Sequence, residues 1–554
     1  MCTKAEKRGD KHSTIVEQLS EKIGISRILS QLLVNRGISS AVEAEEFLHP
    51  KLSAVTDSMK FADMEYAVER VAAAIKRKEN ILIIGDYDVD GITSTALLLK
   101  VLRFFTENLY FYIPDRIEDG YGLNKHSLDY AIQNDMKLAV TVDCGIRDRE
   151  LVNYAMNKGL DIIVTDHHIP DTELPGAVAV VNSHREENRF PFKEMAGVVV
   201  AWHFARALIK RLTGKDTFLN DYLDLVSLGI IADRVPLVKD NRILASKGIE
   251  VLYNTKNLGL EALINVSGLS GRKINSHSIG FILAPRLNAA GRIESAKLAV
   301  KLLLSSERYR AKRLADKLDE LNRKRQKLVE KTLREATNII QSKNLYRKCG
   351  LVVYKEDWHV GILGIVASKL AEKYNMPAIV LTRNKDIIKG SARSIEEIDL
   401  FDSLLKVSDE LTSFGGHRGA AGVKVSMDNL SRFEERWTQT LKEILPYREK
   451  TTSKAELYLP IDDITLELAK EIELLEPYGE ANPEPIFASY LPWGLEYLPI
   501  NGYHKSTYNS CSILVPKNLS NVVLMGKDRQ IIYTLQVDRW KGEESPTIRV
   551  EGYI

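Results

Sequence analysis

Residues Ile81 to Gly91 read ILIIGDYDVDG: an apolar run leads straight into aspartates at alternate positions, Asp86, Asp88 and Asp90. A short, uninterrupted apolar run is the pattern of a strand buried on both faces of a parallel sheet. Side chains two apart on extended chain share a face, so the three carboxylates are expected side by side at the strand's end. Carboxylates that close repel one another, and their pKa values rise unless a cation sits among them. Gly91 permits a sharp turn, and Ile92 to Phe105 continues with helical spacing. Strand, acidic turn and helix together predict a metal site at the carboxyl edge of an open α/β sheet, where such folds bind ligands. The plainer alternative is an acidic surface turn.

The same alternation recurs downstream. Leu109 to Ile113 reads as a strand ending in Pro114-Asp115-Arg116, with Asp119-Gly120-Tyr121-Gly122 as the following loop. Leu138 to Val142 ends in Asp143-Cys144-Gly145, Asp161 to Thr165 ends in Asp166-His167-His168, and Ala179 to Asn182 is a further strand. Strands alternating with helices imply a parallel sheet, whose carboxyl ends share one edge. Asp88 and Asp90, Asp143, and the Asp166-His167-His168 group can therefore converge. Val198 to Leu212 and Tyr222 to Ile231 read as helices, the second followed by Asp233. Asp233 is the next candidate for the site, although an isolated aspartate after an apolar helix is more often a cap or a surface residue.

Gly280 to Ala296, GFILAPRLNAAGRIESA, offers Arg286, Asn288 and Arg292. The guanidinium groups can serve phosphates, or the segment is a packed small-residue turn with two surface arginines. Ser305 to Ser342 reads as a long helix dense in both charges. It is a solvated spacer laced with i,i+4 pairs, or a connecting helix whose basic face meets nucleic acid. A second α/β unit begins near Gly350 and contains GSARS (Gly390–Ser394) and GGHRGAAG (Gly415–Gly422). Gly415 and Gly416 are expected in a loop whose N–H groups cradle a phosphate, with Ser391, Arg393 and His417 nearby. Beyond about Ala455 the character changes. Glu476 to Pro485, EPYGEANPEP, reads as a turn-rich linker, and short β-type runs follow at Cys511–Val515, Asn521–Met525, Ile531–Val537 and Thr547–Gly552. Such spacing suggests a small barrel or sandwich. An OB-type barrel binds single strands with basic grooves and stacked aromatics, for which Tyr503, Tyr508, Tyr533 and Trp540 are available if they are not simply core.

At 554 residues the chain is too long for one core. The expected division is a peripheral helical segment (1–60), a catalytic α/β domain (61–300), a connecting helix (301–345), a second α/β domain (346–450) and a β-rich domain (451–554). Lys and Arg number 77 against 75 Asp and Glu, a net charge of +2, which neither supports nor excludes a nucleic-acid partner. The four cysteines form no CxxC pair, so neither a disulfide framework nor a zinc site is expected. The charged N-terminus lacks an apolar signal region, and the longest apolar stretch, Ala196 to Ile209, contains His203 and Arg206. It is too short to span a bilayer, so the expectation is a cytoplasmic protein with no membrane partner.

DYDVDG, VDCG, TDHH and IADRVPL, in that order, resemble the DHH phosphoesterase superfamily. APRLNAAGR, GSARS and GGHRGAAG extend the likeness through its associated second domain. EPYGEANPEP and the β-rich end are similar to the superfamily's single-strand-specific exonuclease branch. The resemblance runs from about residue 60 to the end. It implies a parallel-sheet catalytic domain joined by a long helix to a smaller α/β domain, then an OB-like nucleic-acid-binding domain. It implies metal ligands at Asp88, Asp90, Asp143, His167 and Asp233, with Asp86 adjoining, and His168 facing the scissile phosphate. Ser391, Arg393 and His417, with Gly415 and Gly416, would hold phosphates, while Arg286, Asn288 and Arg292 would line the DNA path. Arg234, where an apolar residue is expected, and Ser183, where proline usually follows asparagine, depart from the pattern. The implied activity is 5′→3′ removal of nucleotides from single-stranded DNA in repair and recombination, using two ions, Mn2+ or Mg2+. Mixed carboxylate and imidazole ligands favour Mn2+. The implied partners of this monomer are single-stranded DNA, a single-strand-binding protein and a helicase. An oligonucleotide or cyclic-dinucleotide phosphodiesterase and a non-catalytic replication scaffold are the rival expectations.

Overall fold

The computed structural model describes residues 6–116, 119, 120, 122–384, 387–444, 455–520, 530–540 and 542–553. Its first sheet contains β1 (Ile81–Gly85), β2 (Leu109–Tyr112), β3 (Leu138–Val142), β4 (Asp161–Asp166) and β5 (Ala179–Asn182), all parallel, in the order β2-β1-β3-β4-β5. The inner strands β1, β3 and β4 are mostly apolar and buried because helices cover both faces, whereas the edge strand β2 is only partly buried. Ile81, Ile83, Val140 and Ile163 point into one core, while Leu82, Ile84, Ala139 and Val164 point into the other. Gly85 pairs with Val142, and Val142 with Thr165, so the carboxyl ends of β1, β3 and β4 are level. Asp86, Asp143 and Asp166 consequently stand on neighbouring strands along one rim.

One expected detail is corrected here. The acids do not line one face of an extended strand. The strand stops at Gly85, the helix Val89–Leu102 starts earlier than predicted, and Asp90 lies in its first turn. Asp88 caps that helix, accepting the Gly91 N–H at 3.1 Å. A carboxylate at this position satisfies an otherwise unpaired helix donor and so draws the next residues into the turn. Gly91 is required for close approach: a Cβ there would fall 2.5 Å from the Asp86 carbonyl oxygen.

The helix Arg308–Ser342 leads to a second sheet of β6 (Leu351–Tyr354), β7 (Ala378–Asn384), β8 (Ile387–Arg393), β9 (Ser413–His417) and β10 (Ala420–Val425), ordered β6-β7-β8-β10-β9. Only β6 and β7 pair in parallel. GGHRGAAG is therefore not the expected loop. It forms the β9–β10 hairpin, with β9 as an edge strand, and Gly415 and Gly416 lie within β9. Gly416 has φ +154°, and a Cβ on it would meet the Ala420 carbonyl oxygen at 2.2 Å, so its lack of a side chain serves strand pairing.

The third sheet contains β11 (Leu457–Tyr458), β12 (Phe487–Tyr490), β13 (Leu498–Ile500), β14 (Tyr503–Tyr508), β15 (Cys511–Pro516), β16 (Gln530–Trp540) and β17 (Glu543–Tyr553). Its order is β11-β12-β16-β17-β15-β14-β13. The expected strand Asn521–Met525 lies outside the described residues, as does the Trp540 side chain. Tyr533 is core: it is fully buried and donates its hydroxyl to the Leu459 carbonyl at 2.6 Å. Tyr508 donates to Asp462 at 2.8 Å, and Tyr503 is half-buried.

The N-terminal helices are not peripheral. Helices Arg27–Asn35 and Ala41–Leu48 are capped by Ser26 and by a Ser40–Glu43 capping box. Their apolar faces (Leu29, Leu32, Leu33, Ala44, Leu48) share one core with Ile461, Phe487, Ile513 and Tyr533 of the C-terminal region. No described helix is long and apolar enough to cross a membrane. Cys144, Cys349 and Cys511 are free thiols.

Candidate metal centre and nucleic-acid interface

Potential ligand atoms gather into groups whose members all lie within 4.8 Å of one another: Asp86, Asp88 and Asp143; Asp90, His167 and Asp233; and Asp143, Asp166, His167 and His168. Asp143 and His167 each belong to two groups, so the clusters abut. Asp143 follows β3 in the left-handed conformation, φ +61°, which few non-glycine residues adopt and which concentrates at functional sites. Its carboxylate packs on Gly197, where a Cβ would fall 2.7 Å from Oδ1. His167 places Nε2 3.1 Å from Asp143 Oδ1 and 4.0 Å from Asp90 Oδ2. Its Nδ1 lies 2.6 Å from the Met195 carbonyl oxygen. A carbonyl only accepts, so Nδ1 carries a proton. Although burial opposes it, the hydrogen bond to Asp143 and the charges of Asp143, Asp233 and Asp90 raise His167 well above its ordinary range, so Nε2 also holds a proton that a bound cation would displace. Asp90 accepts the N–H groups of Gly197 at 2.6 Å and Val198 at 2.8 Å, the positive end of helix Gly197–Thr213. Asp233 ends helix Leu223–Asp233, and its Oδ2 lies 3.8 Å from His167 Nδ1.

The acids are electrostatically unbalanced. Burial, then Asp88, pushes the Asp86 carboxyl well above its ordinary range. Neither Asp86 oxygen has a hydrogen-bond partner among the described residues. Burial, then the Asp233 charge, pushes Asp90 up to about 8. Burial, then Asp90 and Asp88, raises Asp143 strongly. Asp166 behaves oppositely. Although burial opposes it, the hydrogen bond from His168 and the charges of both histidines hold Asp166 at about 2. It accepts from the backbone N–H groups of Ile146, His167 and His168 and, at 2.7 Å, from His168 Nδ1. Asp166 thus orients His168. The sequence reading assigned it no role of its own in the site, although its place between Thr165 and the paired histidines was the available signal.

Opposite this rim lie cations. Burial, then Arg116, Arg325 and Arg393, pushes Arg292 down to about 9, and its Nη1 donates to the Gly361 carbonyl at 3.2 Å. Burial, then Arg116, lowers Arg393. His417 is lowered by burial, then by Arg393, Arg147 and His168, so its ring lies within electrostatic reach of His168 in the first domain. Ser391 lies beside Arg393 near the start of helix Leu363–Tyr374: a Cβ on Gly364 would sit 3.0 Å from Arg393 Nη2 and 3.6 Å from Ser391 Cβ. Arg116 stacks 4.2 Å over the Tyr87 ring. The Nε atoms of Arg116 and Arg325 are buried without a hydrogen-bond partner among the described residues. Guanidinium groups crowded in this way suit a polyanion. Arg116 and Arg325 were not assigned from the sequence, and the position of Arg116 at the end of β2 was the clue. Arg286 is engaged within the protein, with Nε to Asp319 at 2.9 Å and Nη1 to the Ile282 carbonyl at 2.7 Å. Asn288 is half-buried on the same helix, Ala284–Ile293.

Family models match along the chain: the DHH family N-terminal domain over residues 80–230, the DHHA1 domain over 347–443 and the RecJ OB domain over 455–491. The single-stranded-DNA-specific exonuclease RecJ of Bacillus subtilis (strain 168) is 37% identical over 553 residues, spanning 97% of this chain and 69% of the relative. The enzyme of the same name from Escherichia coli (strain K12) is 34% identical across 83% of this chain and 82% of its own. The chain belongs to the RecJ family. The crystal structure of Thermus thermophilus RecJ in complex with Mn2+ superimposes with a TM-score of 0.83 at 26% identity, covering 98% of this chain and 78% of that one.

For a RecJ-family chain the donor set is the right one for divalent cations. The buried neighbouring carboxylates repel one another, neither Asp86 oxygen has a close hydrogen-bond partner among the described residues, and the His167 ring, held through Nδ1 by the Met195 carbonyl, turns Nε2 towards the acids. Hard oxygen donors accept Mg2+, and the added imidazole favours Mn2+.

Proposed function

We propose that the chain removes mononucleotides from the 5′ end of single-stranded DNA by hydrolysing the phosphodiester, supported by two divalent cations. What carries this reading is the convergence of Asp86, Asp88, Asp90, Asp143, His167 and Asp233 on a rim that faces the cationic edge of the second domain. Asp86, Asp88 and Asp143 would hold one ion, and Asp90, His167 and Asp233 the other, with Asp143 between them. When bound, the ions neutralise phosphate charge and lower the pKa of the attacking water. His168, fixed through Nδ1 by Asp166, turns its Nε2 edge away from that carboxylate and towards where a scissile phosphate would lie. Arg116, Arg292, Arg393 and His417 draw the backbone into the cleft and hold its charge in a partly dry setting, where such contacts are strong. A cleft between the two domains just wide enough for one backbone would exclude a duplex. Repair and recombination in the cytoplasm, beside a single-strand-binding protein and a helicase that supply the strand, is the proposed setting.

The test is to incubate purified protein with Mn2+ and end-labelled single strand, blunt duplex or dinucleotide. Mononucleotides released from the 5′ end of the single strand are expected. Preference for the dinucleotide would point to an oligonucleotide phosphodiesterase, and no turnover on any substrate would point to a scaffold.

A further inference from the structure

The second to fourth residues of helix Lys239–Tyr253 are polar and almost wholly buried: Asp240 (3% exposed), Asn241 (0%) and Arg242 (2%). Each reaches a different part of the chain. Asp240 accepts the backbone N–H and the hydroxyl of Thr56, both at 3.2 Å. Arg242 donates Nε to the Phe47 carbonyl at 2.8 Å and its Nη atoms to the carbonyls of Leu474, Leu475 and Glu476 at 3.1–3.3 Å. Asn241 Nδ2 donates to two carbonyls, Glu194 at 2.7 Å and Pro236 at 2.9 Å.

One carbonyl lies on the segment whose backbone holds two cation-site side chains, and the other on the segment that carries a third. Glu194 immediately precedes Met195, whose carbonyl fixes His167, and Gly197 and Val198, whose N–H groups hold Asp90. Pro236 follows Asp233 by three residues. Asn241 is thus the knot between the His167–Asp90 support and the Asp233 support. Asn241 Oδ1 is buried and has no hydrogen-bond partner among the described residues. An orphaned acceptor is unfavourable, so the amide is kept for the two bonds its nitrogen donates.

An outer brace closes on the same segment. The Leu237 N–H donates to the Glu480 carbonyl at 2.8 Å, and Gly479 sits so close that a Cβ on it would lie 2.8 Å from Leu237 Cδ1. EPYGEANPEP is therefore docked on the stretch just after Asp233, and Arg242 clamps its leading end.

We propose that Asn241 is a positioning residue for the cation site, and that the Glu476–Pro485 turn, docked from the C-terminal domain, braces it. The inference rests on the nuclease reading above. Full-length Asn241→Ala and Gly479→Val are compared with the parent protein by calorimetric titration with Mn2+ alone, by kcat and KM on single strand, and by circular dichroism. Loss of an outer-shell partner weakens metal binding by about 10- to 100-fold. Asn241 acts one step further out, through backbone next to those partners, so Asn241→Ala is expected at the lower end, about 10-fold, with kcat falling alongside and KM for the strand near the parental value. Gly479→Val, on an exposed turn, is expected to lose affinity in the same direction but less. Should Asn241→Ala prove unfolded, Gly479→Val decides alone. Folded variants with parental Mn2+ affinity and kcat, or with a raised KM and unchanged Mn2+ affinity, overturn the proposal. A parent that cuts single strands beside such variants overturns this inference alone, whereas a parent that takes up no Mn2+ overturns the nuclease reading and this inference with it.

Discussion

Gly197 offers the sharpest single-atom test of the cation site. It begins helix Gly197–Thr213, its N–H holds Asp90, and its α-carbon abuts Asp143. In Gly197→Ala the new methyl would fall 2.7 Å from Oδ1, 2.8 Å from Cβ and 3.0 Å from Cγ of Asp143. Carbon contacts settle at about 3.5–4.0 Å, so something must yield by roughly 1 Å. Asp143 has little room to turn, being fixed at φ +61° with His167 3.1 Å away. The helix cannot withdraw without breaking the bonds from Gly197 and Val198 to Asp90. The displacement therefore falls on the groups proposed to bind cations. Overpacking of this kind costs about 1–3 kcal/mol, and if it is borne by the metal-loaded state Mn2+ affinity falls by roughly 5- to 150-fold. Helix propensity works the other way, since alanine is better than glycine in a helix by up to about 1 kcal/mol. A folded, thermally sound variant with a crippled site is thus expected. Calorimetric Mn2+ titration, initial rates on 5′-labelled single strand and a thermal melt together check it. Parental Mn2+ affinity and parental rates in Gly197→Ala would refute the steric reasoning.

Other outcomes follow from the same geometry. Asp143→Ala is expected to abolish turnover yet leave single-strand binding largely intact, because phosphate contacts elsewhere supply affinity; anisotropy with labelled strand and a cleavage assay separate the two, and a turning-over variant would contradict the ligand assignment. Asp90 sits at about 8 in the folded chain, chiefly through burial, against about 3.9 when unfolded. A raised carboxyl is destabilising once it must ionise, so metal-free protein should lose stability as pH climbs between those values. Mn2+ binding must displace that proton, so the melting shift produced by Mn2+ should be larger near pH 8 than near pH 6; equal shifts would exclude a protonated Asp90. Leu33→Ala, at a fully buried position of the core shared by the N-terminal helices and the C-terminal sheet, should cost about 2–5 kcal/mol. The loss should appear as early proteolysis of the C-terminal region, and unchanged protection there would argue against a shared core.

How much of this was legible depends on what kind of contact fixes each residue. Strands β1, β3 and β4 were readable because burial on both faces leaves a mostly apolar run, and the acids at their ends were readable because they follow directly in sequence. The RecJ-family motifs carried the fold for the same reason. DYDVDG was misplaced because two local rules compete at that spot. Alternation favours extended chain, while a carboxylate before a helix favours a cap, and Asp88 caps. GGHRGAAG looked like a loop because its glycines hide the period-two pattern. Only the pairing of Gly416 with Ala421, where a Cβ would meet the Ala420 carbonyl oxygen, explains why that position is small. The N-terminal helices displayed an apolar face, but periodicity cannot say which distant surface covers it.

The supporting groups were the least legible, and the reason is physical. Asp86, Asp143 and His167 announce themselves by charge at strand ends. What holds the cluster is mostly backbone: the Met195 carbonyl, the Gly197 and Val198 N–H groups, and the Glu194 and Pro236 carbonyls gathered by Asn241. Backbone groups have no residue-specific signature, and a single asparagine in a helix's first turn resembles any cap. Yet neither Asp86 carboxylate oxygen has a close hydrogen-bond partner among the described residues, so where the cluster stands depends on those unremarkable positions. Substitutions that spare every acid and histidine, at Gly197 or Asn241, should therefore weaken the site measurably, though less than substitutions that remove a ligand.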